Sequence, residues 1–323
     1  MSRVINIPLT ASLCAALAGC VGPYGRPGEP LRRLGDEIVI CGQFFHTGAP
    51  VVLWMDAGGY DAYRLERRFE PVQTRPSKPA SDSPARYGSW RRNVPGDVLQ
   101  EVQQGGWTVQ RLREYVDQFV LHYDACGTSR RCFQVLHDVR GLSVHFMLDV
   151  DGTIYQTLDV KERAWHAGVA NDRSVGVEIA NIGAYSALRD LESWYERGAD
   201  GRTRLRFPDS ATPTGIRGGD ALLRPARDGP IEGVIHGQHL FQYDFTDAQY
   251  ESLAKLAATL CHVLPGIRPD YPRDASGHPR REALSEDELR GFSGLLGHYH
   301  ITREKVDPGP AFDWERVLSG MRQ

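Results

Sequence analysis

The chain has 323 residues, of which 41% are hydrophobic and 24% are charged, so it has the composition of a globular protein that can bury a substantial core. This length allows one large domain or two smaller ones. The formal net charge of -3 excludes the strongly basic composition that is typical of nucleic-acid-binding proteins, and we expect no nucleic-acid partner.

The N-terminal segment has the features of an export signal. Arg3 precedes an apolar run over residues 4–18, which is too short to span a bilayer comfortably. The run ends in Leu17-Ala18-Gly19-Cys20, which resembles the bacterial lipobox, in which the cysteine is acylated and becomes the mature N-terminus. We therefore predict a lipoprotein signal peptide at residues 1–19, a lipid on Cys20 and a tether at residues 20–35.

The predicted lipid determines the expected location. No later stretch has the length and apolarity of a transmembrane helix, so the mature protein would be anchored to a membrane without spanning it. Val21 follows the cysteine, and by resemblance to known lipoproteins a residue other than Asp there permits sorting to an outer membrane. We expect the periplasmic face of the outer membrane, in a bacterial cell envelope. The alternative is an ordinary signal peptide followed by an incidental cysteine.

Four cysteines remain outside the signal peptide and the predicted lipidation site. Export to an oxidising compartment allows disulfides. Cys126 and Cys132 enclose a short loop, and we expect them to pair, although a zinc site is the alternative for two close cysteines. Cys41 and Cys261 would either pair or remain free thiols.

Residues 36–105 form an N-terminal extension in this interpretation. Short strands are predicted at 38–40 and 51–54, around a turn at 48–50. A Pro-rich stretch at 71–96 predicts a loop or linker. The extension would therefore be either a small accessory unit or an arm packed on the main domain.

An α/β pattern fills residues 106–323, the predicted main domain. Apolar runs predict strands, and apolar residues at helical spacing predict helices, one of which begins with a capping box at Thr246 and Gln249. The predicted elements are a helix at 107–115, a strand at 119–123, a helix at 131–139, a hairpin at 144–158 around Asp151-Gly152, a strand at 174–181, a helix at 246–263 and a short helix at 286–292.

Polar residues near the C-terminus suggest a metal site. Residues 297–310 contain two histidines, a lysine and an aspartate and end in Pro308-Gly309-Pro310; taken alone, they could be a solvated loop. His122 closes an apolar strand, where its side chain would emerge at a sheet edge. Together with His298 and Asp307 it would supply three zinc ligands and leave a fourth position for water, which is the catalytic arrangement.

Two further charged residues fit the same chemistry. Glu178 lies in an apolar strand, where a carboxylate without a partner is costly to bury. It is either the general base that takes a proton from water or an outward-facing surface glutamate. Lys305 precedes Asp307 by two residues and would stabilise a developing oxyanion.

Other histidines are weaker candidates. His236 and His239 could form a second zinc site, but polar contacts in a turn are the favoured interpretation. His300 would point away from His298 in an extended segment, so we do not expect it to be a ligand. His145, within an apolar strand, is expected to be a hydrogen-bonded core histidine.

Several motifs occur in an order that resembles one family. They are His122 after its strand, Val175-Gly176-Val177-Glu178, Trp165-His166-Ala167 before Asn171, and Gly297-His298 followed by Lys305, Asp307 and Pro-Gly-Pro. This order, over residues 107–317, resembles the zinc-dependent N-acetylmuramoyl-L-alanine amidases of the type 2 family. The relatives of that family include phage lysozyme-type amidases and animal peptidoglycan recognition proteins.

The resemblance implies a central mixed β-sheet flanked by α-helices. It also implies hydrolysis, with Zn²⁺ as cofactor, of the amide bond between N-acetylmuramic acid and L-alanine in peptidoglycan or its fragments. It assigns Zn²⁺ ligation to His122, His298 and Asp307. It assigns the role of general base to Glu178 and oxyanion stabilisation to Lys305. It also implies a substrate groove lined by Trp165, His166 and Asn171, and a small disulfide between Cys126 and Cys132 like that of the recognition proteins.

The sequence leaves the substrate and the function open to other interpretations. Residues 184–245 are longer than in compact relatives, so the substrate preference between intact peptidoglycan and (anhydro-)muropeptides is undecided. A non-catalytic peptidoglycan-binding envelope lipoprotein is the alternative function, and a structural zinc protein is a third. We expect a monomer.

Overall fold

The structure is a computed structural model, and the chain divides into two units, Met1–Leu34 and Gly35–Gln323. In the first unit, residues 27–34 are described as a turn followed by irregular chain. The predicted signal peptide at residues 1–19 and Cys20 lie outside the described residues, as does most of the predicted Pro-rich loop. The structure describes residues 27–66, 68–69, 87–208, 213–218 and 223–322.

Short strands and helices follow one another along the second unit. The strands are β1 (Glu37–Ile40), β2 (Gln43–His46), β3 (Val51–Leu53), β4 (Tyr87–Gly88), β5 (Gln118–Tyr123), β6 (Phe146–Leu148), β7 (Ile154–Gln156), β8 (Arg163–Ala164), β9 (Ser174–Ile179), β10 (Tyr195–Arg197), β11 (Thr203–Leu205), β12 (Pro230–Ile235), β13 (Gln238–Tyr243) and β14 (Gly294–Gly297). The α-helices are α1 (Gly96–Gly105), α2 (Val109–Leu112), α3 (Ser129–Phe133), α4 (Asp247–Val263), α5 (Glu286–Gly291), α6 (His298–Ile301) and α7 (Trp314–Gly320). A π-helix at Gln134–Val139 extends α3, and 3-10 helices lie at Gly168–Asp172, Leu188–Asp190 and Glu192–Trp194.

Six of the strands form one mixed sheet in the order β14-β5-β9-β6-β7-β3. The neighbours from β14 to β6 are parallel, β7 is antiparallel to β6, and β3 is parallel to β7. Helix α4 packs beside β6 and against α7. The predicted α/β fold, with a central mixed sheet flanked by helices, is confirmed.

The central strands are apolar because both faces of the sheet are covered, as is usual for parallel strands. Phe119 and Leu121 on β5 and Val177 on β9 are fully buried. Parallel strands end at the same edge of a sheet, so the polar residues at the ends of β5 and β9 emerge together. His122 and Glu178 are direct partners in the β5–β9 register.

The N-terminal extension contributes directly to this sheet. Strand β3 pairs with β7, and β1 pairs with β2. The strands predicted at 38–40 and 51–54 are present as β1 and β3, with a bend at residues 48–49 before β3. The predicted loop is wrong for residues 87–88, since β4 pairs with β8.

One helix prediction is confirmed, and another predicted helix is much shorter in the structure. The capping box predicted for the helix at 246–263 is present: the Thr246 side chain accepts from the Gln249 amide, and the Gln249 side chain accepts from the Thr246 amide. The helix predicted at 107–115 is only the single turn α2, after which the chain passes directly into β5. In the part of the chain that the structure describes, no helix has both the length and the apolarity to cross a membrane.

Candidate active site

Three side chains from distant segments meet at the edge of the sheet where β5 ends. His122 lies near the end of β5, His298 begins α6 directly after β14, and β14 pairs with β5. His122 Nδ1 lies 3.1 Å from His298 Nδ1 and 2.9 Å from Asp307 Oδ2, and His298 Nδ1 lies 3.1 Å from the same carboxylate oxygen. Ligands of a tetrahedral zinc with bonds of about 2.0–2.1 Å are separated by about 3.3 Å. The predicted ligands therefore form a donor set of metal-binding size.

Burial and mutual contact favour the metal-binding protonation states of this set. Burial lowers the pKa of His122 to about 4, although the hydrogen bond with Asp307 opposes that shift. Burial alone would raise the pKa of Asp307, but its contacts with His122 and His298 hold that pKa below its usual range. A neutral imidazole and an ionised carboxylate are the forms that bind a metal ion.

Glu178 lies on β9 beside His122. Burial raises the pKa of Glu178 well above its usual value, the charges of Asp307 and Asp124 raise it further, and Lys305 opposes the shift. A carboxyl group with a raised pKa binds a proton more readily than an ordinary glutamate does. The alternative of an outward-facing surface glutamate does not fit this position.

A cavity of about 320 Å³ brings the predicted catalytic residues together. Glu178 and Lys305 line it together with His122, His298 and Asp307. A second groove, of about 780 Å³, shares His298 and Lys305 with the first and continues along the apolar side chains of Val169, Leu284 and Ile301. A ligand that filled both spaces would pass directly over the donor set.

Two of the three residues predicted to line the substrate groove have structural contacts. The Asn171 side chain is buried, and its Oδ1 accepts hydrogen bonds from the backbone amides of His166 and Ala167. His166 Nδ1 lies 3.0 Å from His122 Nε2. Trp165 is half-buried beside them. The predicted contact of all three with substrate stays a prediction.

The predicted Cys126–Cys132 disulfide is absent from the structure, in which both residues are free thiols. Burial raises the pKa of the Cys132 thiol well above its usual value, and a contact with Cys126 raises it further. Cys41 and Cys261 are also free thiols.

The side chains of His145, His300 and His239 bond to protein groups. His145 is fully buried between the Glu162 carbonyl and the Gly176 amide, as expected for a core histidine. The prediction of an extended segment at His300 is wrong, because His300 lies in α6. Its ring accepts from the Gly297 amide and bonds the Arg280 carbonyl. His239 pairs with Glu232 at the surface, and His236 lies in the β12–β13 turn.

The family model described as N-acetylmuramoyl-L-alanine amidase matches residues 112–310, which is more than half of the chain. The chain belongs to this family. The matched segment begins in α2 and ends in the Pro-Gly-Pro turn, so it contains the whole donor set.

Curated relatives carry the name of one amidase. The 1,6-anhydro-N-acetylmuramyl-L-alanine amidase AmpD of Salmonella typhimurium is 27% identical over 176 residues, which is 54% of this chain and 54% of that protein. The protein of the same name from Haemophilus influenzae is 24% identical over 191 residues, or 59% of this chain and 64% of that protein. The chain thus spans less than two thirds of the length of these relatives.

Solved structures of similar proteins show weak overall likeness to this amidase-family chain. A selenomethionine derivative of AmpD is 20% identical, covers 64% of this chain and 86% of its own, and has a TM-score of 0.32. AmiD from E. coli, in complex with the substrate anhydro-N-acetylmuramic acid-L-Ala-D-gamma-Glu-L-Lys, is 19% identical, covers 64% of this chain and 57% of its own, and has a TM-score of 0.35. Likeness at this level says nothing about function.

Two supporting residues of this amidase-family chain were missed by the sequence analysis. Arg91, in the N-terminal extension, is buried and donates to carbonyl groups of the segment that carries His166. Gln242, on β13, bonds to both sides of the turn that follows Asp307. Both contacts join a side chain to a distant backbone, and such contacts leave no local sequence pattern.

Proposed function

We propose that this chain is a zinc-dependent amidase that hydrolyses the bond between N-acetylmuramic acid and L-alanine in peptidoglycan fragments. The observation that carries the proposal is the cavity in which Glu178 and Lys305 face the His122, His298 and Asp307 donor set. Family membership supports the same activity.

The donor set fits zinc in both chemistry and size. Two imidazoles and one carboxylate are the ligand types of catalytic zinc sites, and three protein ligands leave a position open. His122, His298 and Asp307 would hold the ion. Bound there, zinc supplies Lewis-acid activation of the carbonyl group and of water.

Glu178 is proposed to move the proton that the hydrolysis requires. It accepts a proton from the attacking water and returns that proton to the amide nitrogen of L-alanine, so that the products are a carboxylic acid and an amine. Its raised pKa supports this role, because it makes the carboxylate a stronger base than an ordinary glutamate.

Lys305 is proposed to stabilise the charge that develops on the lactyl carbonyl oxygen. Its backbone amide bonds to the Thr302 carbonyl, and its side chain lies in both the cavity and the adjoining groove. An ammonium group held beside a developing oxyanion stabilises the transition state more than the ground state.

The substrate class follows from the curated relatives, which are named for 1,6-anhydro-N-acetylmuramyl-L-alanine. We propose soluble anhydro-muropeptides as the preferred substrate over intact peptidoglycan. The two open spaces at the site, of about 320 Å³ and 780 Å³, give room for a sugar and the first residues of a peptide.

Product analysis tests this function. We expect purified protein to release peptides that begin with L-alanine from anhydro-muropeptides, and a chelator to stop the release. Glu178→Gln should keep zinc but lose at least about 100-fold in turnover, because a general base contributes about that much. The matched control is Glu251→Gln on the exposed face of α4. Zinc binding without product from either fragments or polymer would refute the amidase and favour the non-catalytic binding protein.

We also propose that a lipid on Cys20 anchors the protein to the outer membrane. The support is the Leu17-Ala18-Gly19-Cys20 sequence after an apolar run. Wild-type protein should partition into detergent and incorporate labelled palmitate, whereas Cys20→Ala should do neither. Equal behaviour of the two proteins would contradict the lipid anchor.

A further inference from the structure

We propose that His166 positions the metal ligand His122 through a hydrogen-bonded relay that ends at Ser174. This inference rests on the zinc site of the proposed function. It concerns the affinity and geometry of that site, and those properties can be measured without any substrate.

The relay is visible in the geometry of the three side chains. His122 directs Nδ1 towards His298 and Asp307, and its other ring nitrogen, Nε2, lies 3.0 Å from His166 Nδ1. His166 Nε2 then lies 3.3 Å from the Ser174 hydroxyl. Ser174 is fully buried at the start of β9. The metal ligand is therefore connected to the sheet through a second histidine.

Only one proton arrangement of this relay is compatible with a metal ion. An ion on His122 Nδ1 requires that nitrogen to be unprotonated, so the proton must be on Nε2. Nε2–H then donates to His166 Nδ1, and His166 in turn donates from Nε2 to the Ser174 hydroxyl. Because His122 is 2% exposed, water cannot easily replace His166 as the acceptor.

The surroundings of His166 fix its ring in this position. Asn171 Oδ1 accepts from the His166 backbone amide. On the opposite side the ring lies against Gly176, where an added Cβ would come within 2.5 Å of His166 Nδ1. A side chain at position 176 would displace the ring, so glycine is required for the relay. Asn171 thus holds the His166 backbone, and the absence of a side chain at Gly176 leaves room for the ring.

Metal affinity provides the test. His166→Leu removes the acceptor, and zinc affinity measured by competition with a chelator should fall about 10- to 100-fold, which is the usual loss when a partner of a ligating histidine is removed. His166→Asn places an oxygen close to the position of Nδ1 and should recover most of the affinity. Ser174→Ala should have a smaller effect in the same direction.

A spectroscopic readout separates positioning from general stability. Cobalt in place of zinc should give a changed visible spectrum in His166→Leu and a wild-type spectrum in His166→Asn. The matched control is His145→Leu, because His145 is also buried and its ring centroid lies 5.9 Å from that of His166, but its hydrogen bonds go to Glu162 and Gly176. That variant should lose stability and keep the wild-type cobalt spectrum.

The outcomes distinguish this inference from the proposed function. Equal zinc affinity and equal cobalt spectra in wild type and His166→Leu would overturn the relay alone. Zinc binding without amide hydrolysis would overturn the amidase and leave the relay supported by its affinity ratio. Failure of the wild-type protein to bind zinc or cobalt would overturn both.

Discussion

The N-terminal extension at residues 36–105 and the insertion at residues 184–245 both support the site, but with different chemistry. The extension buries a charged side chain, Arg91, beneath the segment that carries His166. The insertion buries a neutral side chain, Gln242, beneath the turn that follows Asp307. The two regions therefore support two different backbone segments of the same site.

Arg91 acts as a hub for backbone carbonyl groups. Its Nη2 donates at 2.9 Å to the carbonyls of Val160 and Glu162, and its Nη1 donates at 3.1–3.3 Å to three more carbonyls. Burial lowers the pKa of Arg91 to about 10, so the guanidinium remains charged at neutral pH. One side chain thus holds most of the length of residues 160–174.

Gln242 makes fewer contacts, and two of them are with the turn that follows the proposed ligand Asp307. Its Nε2 donates to the Pro308 carbonyl, and its Oε1 accepts from the Ala311 amide, both at 3.0 Å. Gly309 lies between them at a φ of 92°, and a Cβ there would come within 2.0 Å of Gln242 Oε1. Arg91 thus holds a long stretch of backbone, whereas Gln242 holds one short turn beside Asp307.

Arg91→Met should have the largest effect on stability. Methionine keeps most of the apolar stem but removes the Arg91 donor from five carbonyl groups, of which only the Glu162 carbonyl also bonds His145. Hydrogen bonds to a charged group contribute about 1.5–3 kcal/mol each, so we expect a loss of about 4 kcal/mol or more. Urea denaturation measures this loss. Arg92→Met, at the exposed neighbouring position, is the control and should change little. Equal stability of the two variants would contradict the role of Arg91 as a hub.

Gln242→Met should have a smaller and more local effect. It leaves one buried amide and one buried carbonyl without partners, which costs about 3 kcal/mol in total. Because the affected turn adjoins Asp307, zinc affinity should also fall about tenfold. Gln238→Met, at the exposed start of the same strand, is the control. A loss of stability without any loss of zinc affinity would show that the turn does not position Asp307.

Only part of the site could be predicted from apolar strand patterns in the sequence. His122 and Glu178 follow the apolar runs of β5 and β9, and the fold class follows from the same runs. Strand β14 was missed, since four residues that include two glycines give no usable strand pattern. Its pairing with β5 is what places His298 beside His122.

The support for the site could not be predicted in the same way. Arg91 and Gln242 bond backbone groups 66 to 83 residues away, and neither residue differs locally from a surface residue. The prediction for His300 was wrong about the local conformation. The Gly297 amide donates to the His300 ring within the helical turn of α6, and this contact has no sequence pattern of its own. Side chains that bond to distant backbone are therefore the part of a site that sequence alone hides.

Acidic residues extend the comparison of the two regions. In the insertion, Asp244 is buried and paired with Arg227. Beside the extension, Glu162 is 6% exposed, and its side chain accepts from the Tyr63 hydroxyl at 3.3 Å. Burial raises the pKa of Glu162 to about 7. The extension therefore contacts a carboxyl group that binds its proton more tightly than an exposed glutamate does.

Glu162→Gln should remove a pH-dependent contribution of about 2 kcal/mol to the free energy of unfolding, which is the smallest of these effects. The folded protein holds the Glu162 proton more tightly than the unfolded chain, in which the pKa is about 4.3. The stability that this proton contributes is fully present below about pH 4.3 and is lost as the pH rises to about 7. Each unit of difference between the two pKa values corresponds to about 1.4 kcal/mol, and partial solvation of the carboxyl group reduces the total. Urea denaturation of chelator-treated protein between pH 5 and pH 8 measures the difference between variant and wild type. The difference in unfolding free energy between Glu162→Gln and wild type should change with pH, whereas the difference for Glu251→Gln should stay constant. A constant difference for Glu162→Gln would show that this carboxyl group is in contact with solvent and does not contact the extension.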